Sequence, residues 1–176
     1  MHLLLCLILL TVQPTPMTIF DFTHTSDISN WSTVDDTVMG GRSDGHFRLN
    51  EEGHGEYSGR VSLENNGGFS SLRYRMPTIR IEGKTKVRLR LRGDGKRYQF
   101  RVKTSDNDRH SYVAYFETSG EWEEVVLDLK ALAPQFRGRP LNMENYPAEM
   151  LSEMAILIGN KKEQTFKLEL DWLRLE

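Results

Sequence analysis

Alternation with a period of two runs through most of this chain and restricts its fold more than any other feature. Val87, Leu89 and Leu91 alternate with Arg88, Arg90 and Arg92. Successive side chains of an extended chain point to opposite sides, so this is a strand with one apolar and one wet face. After Gly93-Asp94-Gly95-Lys96, a turn sequence, Tyr98, Phe100 and Val102 alternate with Gln99, Arg101 and Lys103. The two segments read as a β-hairpin. Phe166, Leu168 and Leu170 alternate with Lys167, Glu169 and Asp171 as a third clear strand. Weaker strand signals lie at 19–22, 45–49, 55–63, 69–75, 111–117, 121–127 and 155–159. Helical spacing is confined to a turn at 129–133 and a segment at 147–154, where Pro147 suits a first helical position. About nine or ten short strands punctuated by Gly, Asn, Asp and Pro predict an all-β sandwich or barrel.

The 176 residues have room for one domain with a sizeable core, and no linker or change of composition marks a second. Residues 1–16 stand apart. Leu3 to Leu10 is an unbroken apolar run closed by Pro14 and Pro16, the length of a signal-peptide core and too short to span a bilayer. No Lys or Arg precedes it and no small-x-small cleavage site follows. The alternative is a mis-called start, with translation beginning at Met17. Residues 1–16 are therefore read as a signal peptide or mis-called start, and 17–176 as the domain. Export, periplasmic in a bacterial setting, is the preferred location, and the cytoplasm follows if Met17 is the start.

Lys and Arg number 23 and Asp and Glu 25, a net charge of −2, which gives no general attraction to nucleic acid or an anionic membrane. In a hairpin, Arg88, Arg90, Arg92, Arg101 and Lys103 would share a face and invite a nucleic-acid reading. Stacking aromatics are missing from that face, since Tyr98 and Phe100 point the other way. Like charges opposite one another also need an acidic strand nearby, such as Glu169 and Asp171. A solvated, ion-paired face is the expectation, with no nucleic-acid partner.

Nothing in the chain spells out catalysis. Asp35 and Asp36 are adjacent, so on an extended chain they point apart and do not flank one bond; a cap or a salt bridge suits them better. His24, His46, His54 and His110 have no metal-ligand spacing. Asp106-Asn107-Asp108 is oxygen-rich but lacks the downstream Glu of a calcium loop and reads as a polar turn. Cys6 is the single cysteine, so neither a disulfide framework nor a cysteine metal site is available. The expectation is a protein that is not an enzyme and has no cofactor and no metal.

Two stretches are more specific. In Val34-Asp35-Asp36-Thr37-Val38-Met39-Gly40-Gly41-Arg42-Ser43-Asp44-Gly45, carboxylates precede a double glycine. Gly40 and Gly41 permit positive φ, and Ser43 or Asp44 can bond local amides. Leu63-Glu64-Asn65-Asn66-Gly67-Gly68-Phe69-Ser70-Ser71-Leu72 reads as a hairpin connection with Asn-Gly as the positive-φ pair, and Gly68 is placed at positive φ as well. Together VDDTVMGGRSDGHF and SGRVSLENNGGFSSLR resemble the complex I intermediate-associated protein 30 family. The resemblance continues through Trp122, the 125–127 strand, Phe136-Arg137-Gly138-Arg139-Pro140 and the segment 156–175.

That resemblance implies a jelly-roll β-sandwich, galactose-binding-domain-like. It also implies a non-catalytic, chaperone-like role in assembling the NADH:ubiquinone oxidoreductase, with a respiratory-complex subunit or assembly intermediate as the protein partner. The positions carried over are Asp35, Asp36, Met39, Gly40, Gly41, Ser43, Asn65, Gly67, Gly68 and Phe69; Arg42 joins them as a charge within the first motif. They either shape two loops or meet at one end of the sandwich as a binding surface, with Asp36 and Arg42 as loop-tip charges. The alternative function is a carbohydrate-binding module. Trp31, Trp122 and Trp172 are then the candidate sugar platforms, although a tryptophan in or beside a strand is more often core.

Overall fold

The computed structural model describes residues 15–176, without the side chains of Val38 and Met39. Leu3 to Leu10 and Cys6 lie outside the described residues. Two antiparallel sheets face each other. One runs in the order β3 (Asp44–Leu49), β4 (Gly55–Val61), β13 (Gln164–Leu175), β6 (Lys86–Arg92) and β9 (Trp122–Asp128), with β1 (Met17–Asp21) paired to the far end of β13. The other runs β11 (Arg139–Pro140), β10 (Ala133–Phe136), β8 (Ser111–Glu117), β7 (Arg97–Lys103), β12 (Met150–Ile158), β5 (Ser70–Arg80) and β2 (Trp31–Asp35). The architecture is the expected all-β jelly-roll sandwich.

Its core lies where the apolar faces meet. Val87, Leu89 and Leu91 of β6, Tyr98, Phe100 and Val102 of β7, Met154, Ile156 and Ile158 of β12, and Leu168 and Leu170 of β13 are each at most 2% exposed. Side chains of this kind contribute about 1.5–3 kcal/mol each when fully buried. Phe20, Phe22, Trp31, Phe47 and Tyr74 close one end of the sandwich, with ring centroids 4.6–6.0 Å apart.

Strands β6 and β7 have the expected alternating burial, but they are not a hairpin. β6 pairs with β13 and β9, and β7 with β12 and β8. Residues 93–96 carry the chain from one sheet to the other. Alternation says which side of a strand is buried and is silent on which neighbour it bonds. The arch has its own chemistry: the Asp94 carboxylate accepts from the Tyr98 hydroxyl and the Lys167 amide, each at 3.0 Å, which ties it to β13. A Cβ on Gly93 would collide with the Thr118 side chain.

The expected hairpin at 63–72 is likewise a crossing, because β4 and β5 belong to different sheets. The segment 147–154 is not helical: Ala148 is buried with φ +58 and Met150 opens β12. At 129–133 a 3-10 turn, Leu129–Ala131, does form, capped by the Asp128 carboxylate on the Lys130 amide at 2.9 Å. β2, β10 and β11 carry no strand signal strong enough to read in advance. β10 contains Pro134 and β11 has two residues, and their two-residue turn needs positive φ at Arg137 (+50) and Gly138 (+74).

The crossing after β6 also divides the arginine row. Arg88 contacts Glu124 and Glu176, Arg90 contacts Asp171 and Arg92 contacts Glu169, at 2.6–3.1 Å, on the outer face of the first sheet. Glu169 and Asp171 thus give the compensation expected of them. Arg101 and Lys103 lie on the outer face of the other sheet.

Cysteine pairs test this topology. With Cys6→Ser, the pair Arg88→Cys and Val126→Cys, directly opposed on β6 and β9, should cross-link on mild oxidation, because opposed Cβ atoms sit about 4.5–5.5 Å apart. Arg88→Cys with Arg101→Cys, directly opposed if residues 93–96 made a hairpin turn, should stay reduced. Cross-linking of the second pair would restore the hairpin.

Candidate functional site

The two motif loops meet. Residues 36–43 carry the chain from β2 to β3, and residues 62–69 from β4 to β5; each passes from one sheet to the other. Between them sits Asp36, 2% exposed. Its carboxylate accepts from the Ser43 amide at 2.9 Å, the Gly68 amide at 2.6 Å, the Phe69 amide at 3.2 Å and the Ser43 hydroxyl. Burial alone would raise its pKa. The Ser43 hydroxyl and then the Gly68, Ser43 and Phe69 amides outweigh that and hold the carboxyl below the usual range. The Ser62 amide donates to the Ser43 hydroxyl at 3.0 Å, and Asn65 Nδ2 to the Gly40 carbonyl at 3.0 Å. Asp36 is therefore an interior anchor, not a loop-tip charge. Arg42 is a tip charge, exposed and 3.3 Å from Glu64.

The glycines follow from this anchor. Gly40 ends the 3-10 turn Asp36–Met39 at φ +88, and Gly68 has φ +133. Gly41 is not at positive φ; a Cβ there would run into the Asp36 carboxylate, and one on Gly67 would lie 2.6 Å from Asp36 Oδ2. Close approach, not backbone twist, requires glycine at these two. The positive-φ pair of the second loop is Asn65 (+55) with Asn66 (+61). Asp35 turns elsewhere, accepting from the Gly45 amide at 2.9 Å, so the two carboxylates share no site. Ser43 is buried, and Met39 lies in the turn.

Beside these loops, the outer face of the seven-stranded sheet is hollowed into a groove of about 490 Å3. Its floor is Leu157, Ala155 and Glu153 of β12, flanked by Ser71 and Arg73 of β5 and by Gln99, Arg101 and Lys103 of β7. Arg109, Ser111, Gln135, Phe136 and Arg137 close the far side, and Asn66, Gly68 and Phe69 of the second motif form part of the rim. Five cationic side chains line it against one carboxylate, Glu153, which Arg75 already contacts at 3.3 Å. The sequence reading missed most of these residues. Arg101 and Lys103 were visible as a charged row, but only sheet pairing brings Arg73, Arg109 and Arg137 to them.

The remaining candidates are accounted for locally. Trp31 and Trp172 are buried, and Trp122 is partly exposed on the other sheet between Arg90 and Arg92. Asp108 accepts from the Thr104 hydroxyl and the Thr104 and Ser105 amides, a turn of the expected kind. Among the described residues no group of three or more His, Cys, Asp or Glu side chains is arranged to hold a metal.

The fold defines the class: a β-sandwich of the architecture found in carbohydrate-binding modules. It is similar to the family 11 module of a cellulosomal cellulase of Clostridium thermocellum, with TM-score 0.68 and 14% identity over 92% of this chain and 94% of that one. The family 11 module from the same organism in complex with a β-1,3-1,4-mixed-linked tetrasaccharide gives 0.67 and 13% over 91% and 94%. An agarase gives 0.61 and 14%, over 92% of this chain and 24% of that one. No curated protein matches the sequence. Residues 20–170 match the complex I intermediate-associated protein 30 model, and the chain belongs to that family.

Asp36→Ala should cost about 2–4 kcal/mol, because it strands several buried donors at once. Asp36→Asn adds a pH signature. A folded pKa below the unfolded value of about 3.9 means the carboxylate's stabilisation is complete above that value and is lost as pH falls through the folded pKa. The stability gap between the native chain and Asp36→Asn should therefore hold from pH 7 to about 5 and close in stronger acid. Denaturant titrations across pH check this; a gap indifferent to acid would contradict the anchor.

Proposed function

We propose that this protein is a non-catalytic binding module that captures a protein partner, in the assembly role that its family's name attaches to complex I intermediates. The partner is then a respiratory-complex subunit or assembly intermediate. The observation that supports the reading is the coincidence of the family's second motif with the rim of the groove: Asn66, Gly68 and Phe69 lie at its edge. In this reading Arg42, Asn65, Gly67, Gly68 and Phe69 contribute to the contact surface. Asp35, Asp36, Met39, Gly40, Gly41 and Ser43 belong to the same loops and hold it in shape. The groove's single carboxylate is committed to Arg75 and no histidine lines it, which favours binding over acid–base chemistry.

A carbohydrate-binding role is the second reading, supported by the shared architecture and by a groove on a sheet face. Against it stands the occupancy of the Phe136 ring on the far side of the groove. Arg109 and Arg137 each approach it at 5.4 Å, so this ring is not free to stack on a sugar.

Immobilised protein exposed to solubilised native membranes should retain complex I subunits, while a β-1,3-1,4-glucan column should not retain the protein. Arg42→Ala with Phe69→Ala should weaken that capture without lowering the unfolding midpoint by more than a few degrees. Retention on the glucan, with no subunit captured, would transfer the assignment to the carbohydrate reading.

A further inference from the structure

The two outer faces of this sandwich treat charge differently. On the six-stranded sheet Arg88, Arg90, Arg92 and Lys167 each close on a carboxylate at 2.6–3.1 Å. In the groove of the other sheet, Arg73, Arg101, Lys103, Arg109 and Arg137 have no ion-pair partner among the described residues, and Glu153 is taken by Arg75. A chain with 25 acidic residues has left one face unneutralised. Uncompensated cations side by side on a sheet destabilise it.

Arg101 carries the point furthest. Ala155 of β12 is paired with Arg101 on one side and Arg73 on the other, so two guanidinium groups flank a small residue. The Nη1 of Arg101 donates to Gln99 Oε1 at 3.2 Å. Burial, with the Arg73 charge, outweighs the opposing pull of Glu153 and holds its pKa below arginine's usual value. A cation that is partly desolvated and faces another cation is the arrangement a ligand's negative charge would relieve.

The dimensions set the ligand. From Arg73 on β5 to Gln135 on β10 the groove crosses five neighbouring strands, a span of about 19 Å at the usual strand separation. An extended peptide covers that in about six residues, with every second side chain facing the groove. Guanidinium groups match carboxylates fork to fork. Of the two rings at the groove, Phe69 and Phe136, the second is approached by both Arg109 and Arg137 at 5.4 Å, which disfavours a row of stacked pyranose rings or nucleobases.

We propose that the groove is the docking site for an extended acidic segment of the protein partner, with carboxylates at alternate positions clamped by Arg73, Arg101, Lys103, Arg109 and Arg137. This rests on the reading that the partner is a protein, and deepens it by naming what the groove recognises.

The probe is a synthetic peptide of alternating Glu and Ser, titrated calorimetrically into the full chain. It should bind saturably, more weakly as salt rises, and a Lys-Ser peptide should not bind. Arg73→Gln with Arg101→Gln should lower affinity at least about tenfold, whereas Arg88→Gln with Arg90→Gln, the same charge change on the other face, should change it less than about twofold. The groove variant should unfold at or above the native temperature, since it removes like-charge crowding. No binding, or equal losses from both variants, would overturn the proposal, as would tighter binding of polygalacturonate than of the peptide at equal charge. The two levels separate cleanly: complex I subunit capture that survives Arg73→Gln with Arg101→Gln sinks the docking site alone. Retention of the protein on neutral glucan sinks the protein-partner reading beneath it.

Discussion

A single buried carboxylate joins two of the places where the chain passes between its sheets. Asp36 opens the crossing from β2 to β3, and the amides of Gly68 and Phe69 that it accepts from close the crossing from β4 to β5. Ser43 doubles the tie by bonding both Asp36 and the Ser62 amide. A charge so placed is tolerated only because several donors surround it. Those donors can approach only because positions 41 and 67 lack a Cβ. The rim of the groove, Asn66 to Phe69, inherits its position from this contact.

The same physics separates the two outer faces. Strands β6 and β7 are close to interchangeable in pattern, each a row of apolar residues alternating with long polar ones. β6 lies beside β13, whose Glu169 and Asp171 neutralise it. β7 lies between β12 and β8, whose outward residues include Ala155, Leu157 and Val113. One strand therefore ends on a paired, stabilising surface and the other on an unpaired cationic one. Net charge, at −2 for the whole chain, averages this contrast away.

Much of the sandwich was legible in advance because burial has a local signature. Leu89 or Phe100 declares its inward orientation through its immediate neighbours. Sheet membership has no such signature, which is why a four-residue connection after Arg92 could be read as a hairpin when it is an arch. Strands rich in proline or only two residues long, such as β10 and β11, leave too few alternations to count. The two motifs were recognisable as special loops, and Asp36 as a candidate cap. That its Gly68 and Phe69 donors lie more than 30 residues away, and that Gly41 and Gly67 serve it by their size, depends on tertiary contact alone. The groove was the least legible feature, since Arg73, Arg101 and Arg137 come from three strands or turns distant in sequence.

In the proposed reading the labour divides: the Asp36 loops shape the rim, and the cationic groove receives the ligand. Nuclear magnetic resonance titration of the labelled protein with an acidic peptide reads both regions in one experiment. The account predicts that the side-chain Nε–H signals of Arg73 and Arg101 and the amides of Ala155 and Lys103 move, while the amide of Ser43, held by Asp36, stays in place. Shifts concentrated at residues 36–43, or along Arg88, Arg90 and Arg92 of the opposite sheet, with Arg73 and Arg101 unmoved, would contradict it.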